Sequence, residues 1–125
     1  MSTGYLIPDP IQISPKATVE ANTADGTLTV ANMGKIQTNT GASGTITLTL
    51  PAISASGGTA FKVQVTVAQV VRLLPATGEK IYLGGSGVAS KYLNIAATIG
   101  NYCDVFNDGT DWLVVAYSGV LTKEA

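Results

Sequence analysis

The sequence predicts an all-β chain, an antiparallel β-sandwich or jelly-roll-like barrel over residues 27–125 preceded by an extended N-terminal arm over residues 1–26. Three observations carry that prediction. From residue 27 onward, short β-branched runs alternate with clusters of turn residues. One run, Thr45-Ile46-Thr47-Leu48-Thr49-Leu50, alternates strictly between threonine and an apolar residue, the period of a half-buried strand. Signals for helix are almost absent.

Tyr5-Leu6-Ile7-Pro8-Asp9-Pro10-Ile11-Gln12-Ile13-Ser14-Pro15 sets three prolines at short spacing, which forbids helix, disfavours a central strand and leaves an extended segment. Its apolar side chains, Tyr5, Leu6, Ile7, Ile11 and Ile13, are costly to leave in water. The arm is therefore expected to bind a partner surface, packing along its own domain or reaching a neighbouring subunit.

Strands are expected at residues 27–30, after the turn Asp25-Gly26, and at residues 35–38, before the loop at 39–44. The strand at 45–50 points Ile46, Leu48 and Leu50 to one face and ends at Pro51. A loop through Gly57-Gly58 leads to residues 61–67, whose apolar residues occupy odd positions, and then to 70–74. Further short strands fall at 80–83, 92–95 and 101–107, separated by Pro75-Ala76-Thr77-Gly78 and Gly84-Gly85-Ser86-Gly87. A hairpin turn centred on Asp108-Gly109 joins residues 101–107 to Trp112-Leu113-Val114-Val115-Ala116-Tyr117. That last run is apolar on both parities, so both sheet faces call for cover, the second by another sheet, the arm or another subunit. Sandwich and barrel give similar strand spacing and stay open at this point.

Composition bounds the function. Hydrophobic residues are 46% and charged residues 12%, about half the ~25% charge usual for soluble domains, so the surface is built from neutral polar residues that suit interfaces. The formal net charge is −1 with no basic cluster, which argues against nucleic acid as a partner. No apolar run approaches the length of a membrane span, and Met1-Ser2-Thr3-Gly4 has no leader-like character, so synthesis in a cytoplasm without membrane association is expected. Cys103 is the single cysteine and the chain has no histidine; Cys103 is read as a small buried hydrophobe, and Cys–His or Ser–His–Asp constellations cannot be assembled from one chain.

Candidate chemistry is sparse. Asn107-Asp108-Gly109-Thr110-Asp111 is oxygen-rich but lacks the spacing and terminal glutamate of the standard calcium loop, so it reads as a turn. The glycine pairs are not followed by a Lys-Ser/Thr or a helix and cradle no phosphate. Asp104 sits among apolar neighbours and reads as a solvent-facing strand residue or a partner of Arg72 or Lys80. The acids are few and scattered, without the paired placement that glycoside hydrolysis needs. No catalytic residue, metal site or cofactor is expected. Tyr82, Tyr92, Tyr102, Trp112 and Tyr117 are candidate interface aromatics or a glycan-stacking platform, although a lone tryptophan after a hairpin is more often a core or interface anchor.

A resemblance adds to this. Residues 41–52, beginning Gly41-Ala42-Ser43-Gly44, continue through Phe61-Lys62-Val63 and Val71-Arg72-Leu73-Leu74-Pro75-Ala76-Thr77-Gly78. Together with Lys91-Tyr92-Leu93, Gly100-Asn101-Tyr102, Asp108-Gly109-Thr110-Asp111-Trp112-Leu113-Val114 and Ser118-Gly119, they resemble a β module of tailed-bacteriophage structural proteins over roughly residues 30 to 122. The proline-containing arm is outside that pattern. The resemblance implies a non-enzymatic virion-surface protein, commonly trimeric: a capsid decoration (cement) protein, a head fibre or a tail-fibre segment. A stand-alone decoration protein is preferred, because the chain starts at its own Met1, ends soon after the module and carries no heptad stalk or collagen-like repeat. Expected partners are other copies of the chain, as a homotrimer, and the phage major capsid protein or another virion protein; the alternative is a head- or tail-fibre module or a carbohydrate-binding module for host recognition.

Overall fold

The computed structural model describes residues 18–124. The arm residues Tyr5, Leu6, Ile7, Ile11 and Ile13 lie outside these described residues. Eleven strands are named in chain order: β1 (Val19–Ala21), β2 (Gly26–Thr27), β3 (Ile36–Thr38), β4 (Ile46–Thr49), β5 (Ala60–Gln64), β6 (Val71–Leu74), β7 (Ile81–Tyr82), β8 (Leu93–Ile95), β9 (Tyr102–Asn107), β10 (Trp112–Ser118) and β11 (Leu121–Lys123). Among the described residues a 3-10 turn at Val30–Asn32 and one helical turn, α1 (Ile53–Ser56), interrupt them.

The strands form two sheets, one of six strands in the order β1-β3-β5-β9-β10-β7 and one of five in the order β11-β8-β6-β4-β2. They share a single core that draws Leu48, Val71, Leu73, Leu93 and Ile95 from the five-stranded sheet and Phe61, Val63, Cys103, Val105 and Trp112 from the other. This is a sandwich.

The sheets are mixed, which corrects the expectation of an antiparallel fold. β1, β3 and β5 pair in parallel in one sheet, and β2, β4 and β6 pair in parallel in the other. The reason lies in the connections. From β1 to β6 each strand is followed by one in the opposite sheet, so strand neighbours are two steps apart in sequence and run the same way. The chain makes three stacked turns of a flattened coil. Antiparallel pairing takes over with β8 on β6, β9 on β5, β10 on β9 and β11 on β8, while β7 returns to pair in parallel with β10.

Alternation sets which residues enter the core. Ile46, Leu48 and Leu50 are all buried while the threonines between them face outward, and the register stacks Ile46 on Val71 on Ile95 and Leu48 on Leu73 on Leu93. Phe61, Val63 and Val65 are likewise buried, and the Phe61 ring packs against Trp112 at a centroid distance of 5.7 Å. Rings at that separation add to the area they bury.

Two strands lie where the sequence showed none. Val19–Ala21, within the stretch assigned to the arm, is an edge strand beside β3, and Leu121–Lys123 closes the edge beside β8. Residues 28–30 leave the expected strand and enter the 3-10 turn, where the Asn32 side chain accepts from the Thr29 backbone N–H at 2.8 Å. The last hairpin has Asn107 paired with Trp112, so residues 108–111 form the loop between the two strands expected there.

Candidate functional site

The outer face of the six-stranded sheet is built by the residues that alternation turns away from the core. On β9 these are Tyr102, Asp104 and Phe106, set between buried Cys103, Val105 and Asn107. Register places Val19, Ile36, Lys62, Asp104 and Ala116 in one row across five strands. A second row holds Ala60, Phe106 and Leu113, and a third holds Gln64, Tyr102 and Ser118. A register shift between Val114 and Ala116 inserts Val115 as an extra residue, the geometry of a β-bulge that re-aims a side chain. Val115 is 60% exposed and Val19 62%. Met33, Tyr102 and Phe106 are also exposed.

At the middle of this face Lys62 Nζ lies 2.8 Å from Asp104 Oδ2. Asp104 thus pairs with Lys62 across the β5–β9 ladder, not with Arg72 or Lys80; Arg72 belongs to the other sheet. The lysine side chain is 63% exposed, so the pair adds little stability, but it marks a charged point in an apolar field. Two shallow depressions flank it along β5. One, of about 330 Å³, is lined by Ile36, Gln64, Tyr102 and Ala116; the other, of about 240 Å³, is lined by Met33, Ala60 and Val115. Both share Lys62 and Asp104.

The aromatic candidates are dispersed. Trp112 is wholly buried. Tyr92 lies beneath the Arg72 guanidinium, 4.4 Å from ring centroid to carbon, on the five-stranded sheet's side, where Arg72 Nε donates to Asn94 Oδ1 at 3.3 Å. Tyr82 is half-buried on β7. Tyr102 belongs to the outer face described here, and Tyr117, paired with Cys103 in register, is 51% exposed. Sequence reasoning thus found Tyr102 and the two-sided apolar strand β10, but not Met33, Ile36, Lys62 or Phe106. The available signal was the alternation Tyr102, Asp104, Phe106 on β9, which puts two aromatic rings on the parity opposite Cys103 and Val105.

Several other polar side chains hold loops. Asp108 Oδ1 accepts from the backbone N–H groups of Thr110 and Asp111, each at 2.8 Å, and Asn107 Oδ1 accepts from Gly109 N–H. Those amides, Asp111 first and then Thr110, hold the Asp108 carboxyl below its ordinary range, so the oxygen-rich segment is a self-satisfied turn. Among the described residues no cluster of three or more metal-ligating side chains is found. Asp25 accepts from Thr47 N–H at 2.7 Å, Glu79 from Ile53 N–H at 3.0 Å and Glu124 from Tyr92 N–H at 3.0 Å. Burial, with Asp104 nearby, pushes the Cys103 thiol up to about 12, so it carries almost no thiolate at neutral pH.

No protein-family model matches the chain, and no curated protein matches it.

Proposed function

We propose that this chain is a structural protein of a phage virion, a capsid decoration (cement) protein that associates with copies of itself as a trimer and stabilises the assembled shell through apolar and backbone contacts. The observation that carries the reading is the outer face of the six-stranded sheet: Val19, Tyr102, Phe106 and Val115 are exposed together on one surface, which an isolated domain has no reason to keep apolar. The N-terminal arm, with its apolar side chains, supplies a second contact. The site of action under this reading is the virion surface, after synthesis in the host bacterial cytoplasm.

Apolar burial is weakly screened by salt, unlike attraction between surface charges. The test is addition of the purified protein to shells of the corresponding virion from which the decoration layer has been stripped. Saturable binding that changes little between roughly 0.05 and 0.5 M salt is expected. Absence of binding, or release by moderate salt, contradicts the proposal.

A further inference from the structure

We infer that copies of this chain close around an axis parallel to the strands, with β5 of each copy facing β9 of the next and Lys62 of each paired with Asp104 of the next. This rests on the assembly reading above and deepens its self-association part alone, naming the strands, the register and the charges that meet between copies.

The outer face is matched to itself. β5 and β9 are neighbours in the middle of the six-stranded sheet. Their outward-facing residues fall in phase, with Ala60 beside Phe106, Lys62 beside Asp104 and Gln64 beside Tyr102. Each pair sets a smaller side chain against an aromatic ring, or a positive charge against a negative one. A rotation axis parallel to the strands preserves height along them, so each row meets the same row of the next copy. With the axis in front of the β5–β9 seam, Phe106 of one copy meets Ala60 of the next, and Tyr102 meets Gln64. One strand further out, Ile36 meets Ala116, both in the row of Lys62 and Asp104. Large against small at facing positions lets such layers interdigitate. The two depressions lie where the rings arrive: the one of about 240 Å³ lies over Ala60 and Val115, and the one of about 330 Å³ over Gln64 and Ile36.

The charges select a copy of this chain as the partner, and this axis over others. One lysine and one aspartate at the middle of the face offer no net charge to a charged partner, whereas a second copy presents each with its opposite at the same height. Within one chain Lys62 Nζ donates to Asp104 Oδ2 at 2.8 Å. An ammonium has three donors and a carboxylate two accepting oxygens, so both groups have capacity for a second partner, and the lysine side chain is 63% exposed. An axis running across the strands would instead oppose Lys62 to Lys62 and Asp104 to Asp104, a like-charge contact that costs affinity. Alternating pairs buried at the axis are little screened by salt, and a head-to-tail contact of β5 on β9 can close into a ring.

The experiment exchanges the charges. Lys62→Asp and Asp104→Lys, made singly, put like charges into every contact and are expected to weaken self-association by about tenfold or more in sedimentation. Made together in one chain they restore the pair within and between copies, and this double variant is expected to associate as tightly as the parent protein. Isotope-labelled parent is then unfolded together with the double variant, refolded and weighed by native mass spectrometry. Mixed contacts set like charges together, so mixed oligomers are expected to be rarer by about tenfold than in a control of labelled with unlabelled parent. Free or preferential mixing, or single variants as tight as the parent, overturns the inference and leaves assembly standing, because a pair closed within each chain is indifferent to its neighbour's. A parent that is monomeric at every concentration overturns both. A second measurement needs no charge variant. Chains carrying Gln64→Cys and chains carrying Tyr102→Cys are mixed and oxidised, with Cys103 left in place because it is wholly buried. The mixture is expected to cross-link in several-fold higher yield than either protein alone, and equal yields overturn the pairing.

Discussion

Asn39 is wholly buried at the end of β3, where its amide organises a loop that has no sheet partner. Its Oδ1 accepts from the backbone N–H of Thr66 at 2.8 Å and of Val67 at 3.1 Å, and its Nδ2 donates to the carbonyls of Val67 and Gln69, both at 3.1 Å. Removing such a side chain leaves several backbone groups without partners, each costly when buried. Asn39→Ala is expected to lower stability by about 1–3 kcal/mol, read as a fall in denaturant midpoint with an unchanged slope. An unchanged midpoint would show that these groups are equally well satisfied by water. From sequence, Asn39 opened a loop and nothing more, because its partners are brought to it from residues 66–69 by the coil. Cys103 was more legible, a small apolar side chain read as buried, as it is, whereas Trp112 was left between core, interface and glycan platform and lies in the core.

Strands with long alternation were read from it, short ones such as β3, β7 and β8 from the turn residues that bracket them, and β1 and β11 were missed. β4 and β5 declare themselves through Ile46, Leu48, Leu50 and Phe61, Val63, Val65, whereas β1 is only Val19-Glu20-Ala21 and is held by tertiary contacts. Its Glu20 carboxylate accepts from Gln37 Nε2 at 2.6 Å, Asn32 Nδ2 at 2.8 Å and Lys35 Nζ at 3.3 Å. These partners, Gln37 foremost, hold the Glu20 carboxyl below its ordinary 4.5. A carboxyl lowered in the folded state contributes stability that is present above the ordinary value and is lost as pH falls through the lowered one. β1 is therefore expected to loosen first on acidification, measured as early loss of hydrogen-exchange protection at Asn22 and Ile36, whose N–H groups bond Thr38 and Thr18. Glu20→Gln is expected to remove that pH step; its persistence in the variant would assign the step elsewhere. Parallel pairing was illegible for a related reason. Turn residues mark where a strand ends, not whether the chain then folds back in its own sheet or crosses to the other, and among the described residues only 108–111 join consecutive strands of one sheet.

At the scale of the whole molecule, one sheet has an outer face carrying Arg72, Asn94 and threonines, and the other has an outer face of exposed Val19, Tyr102, Phe106 and Val115 around a single ion pair. The sequence announced this asymmetry in β10, whose two parities are both apolar, but not the rows that join it to β1, β3 and β5, since rows are a property of register. Val115 makes the consequence testable without touching the core. Because it is 60% exposed, Val115→Lys is expected to change stability by no more than about 0.5 kcal/mol, while placing a charge where a partner must bury apolar surface. Its thermal unfolding should match the parent protein, and its self-association should be lost. An oligomer as tight as the parent would remove this face from the interface.

The central claim, that the protein works by assembly through this face, is tested most directly by the mass of the purified protein in sedimentation equilibrium across a wide concentration range. A trimer or other closed oligomer that persists on dilution and at high salt is the predicted result. A compact monomer at every concentration would contradict the account.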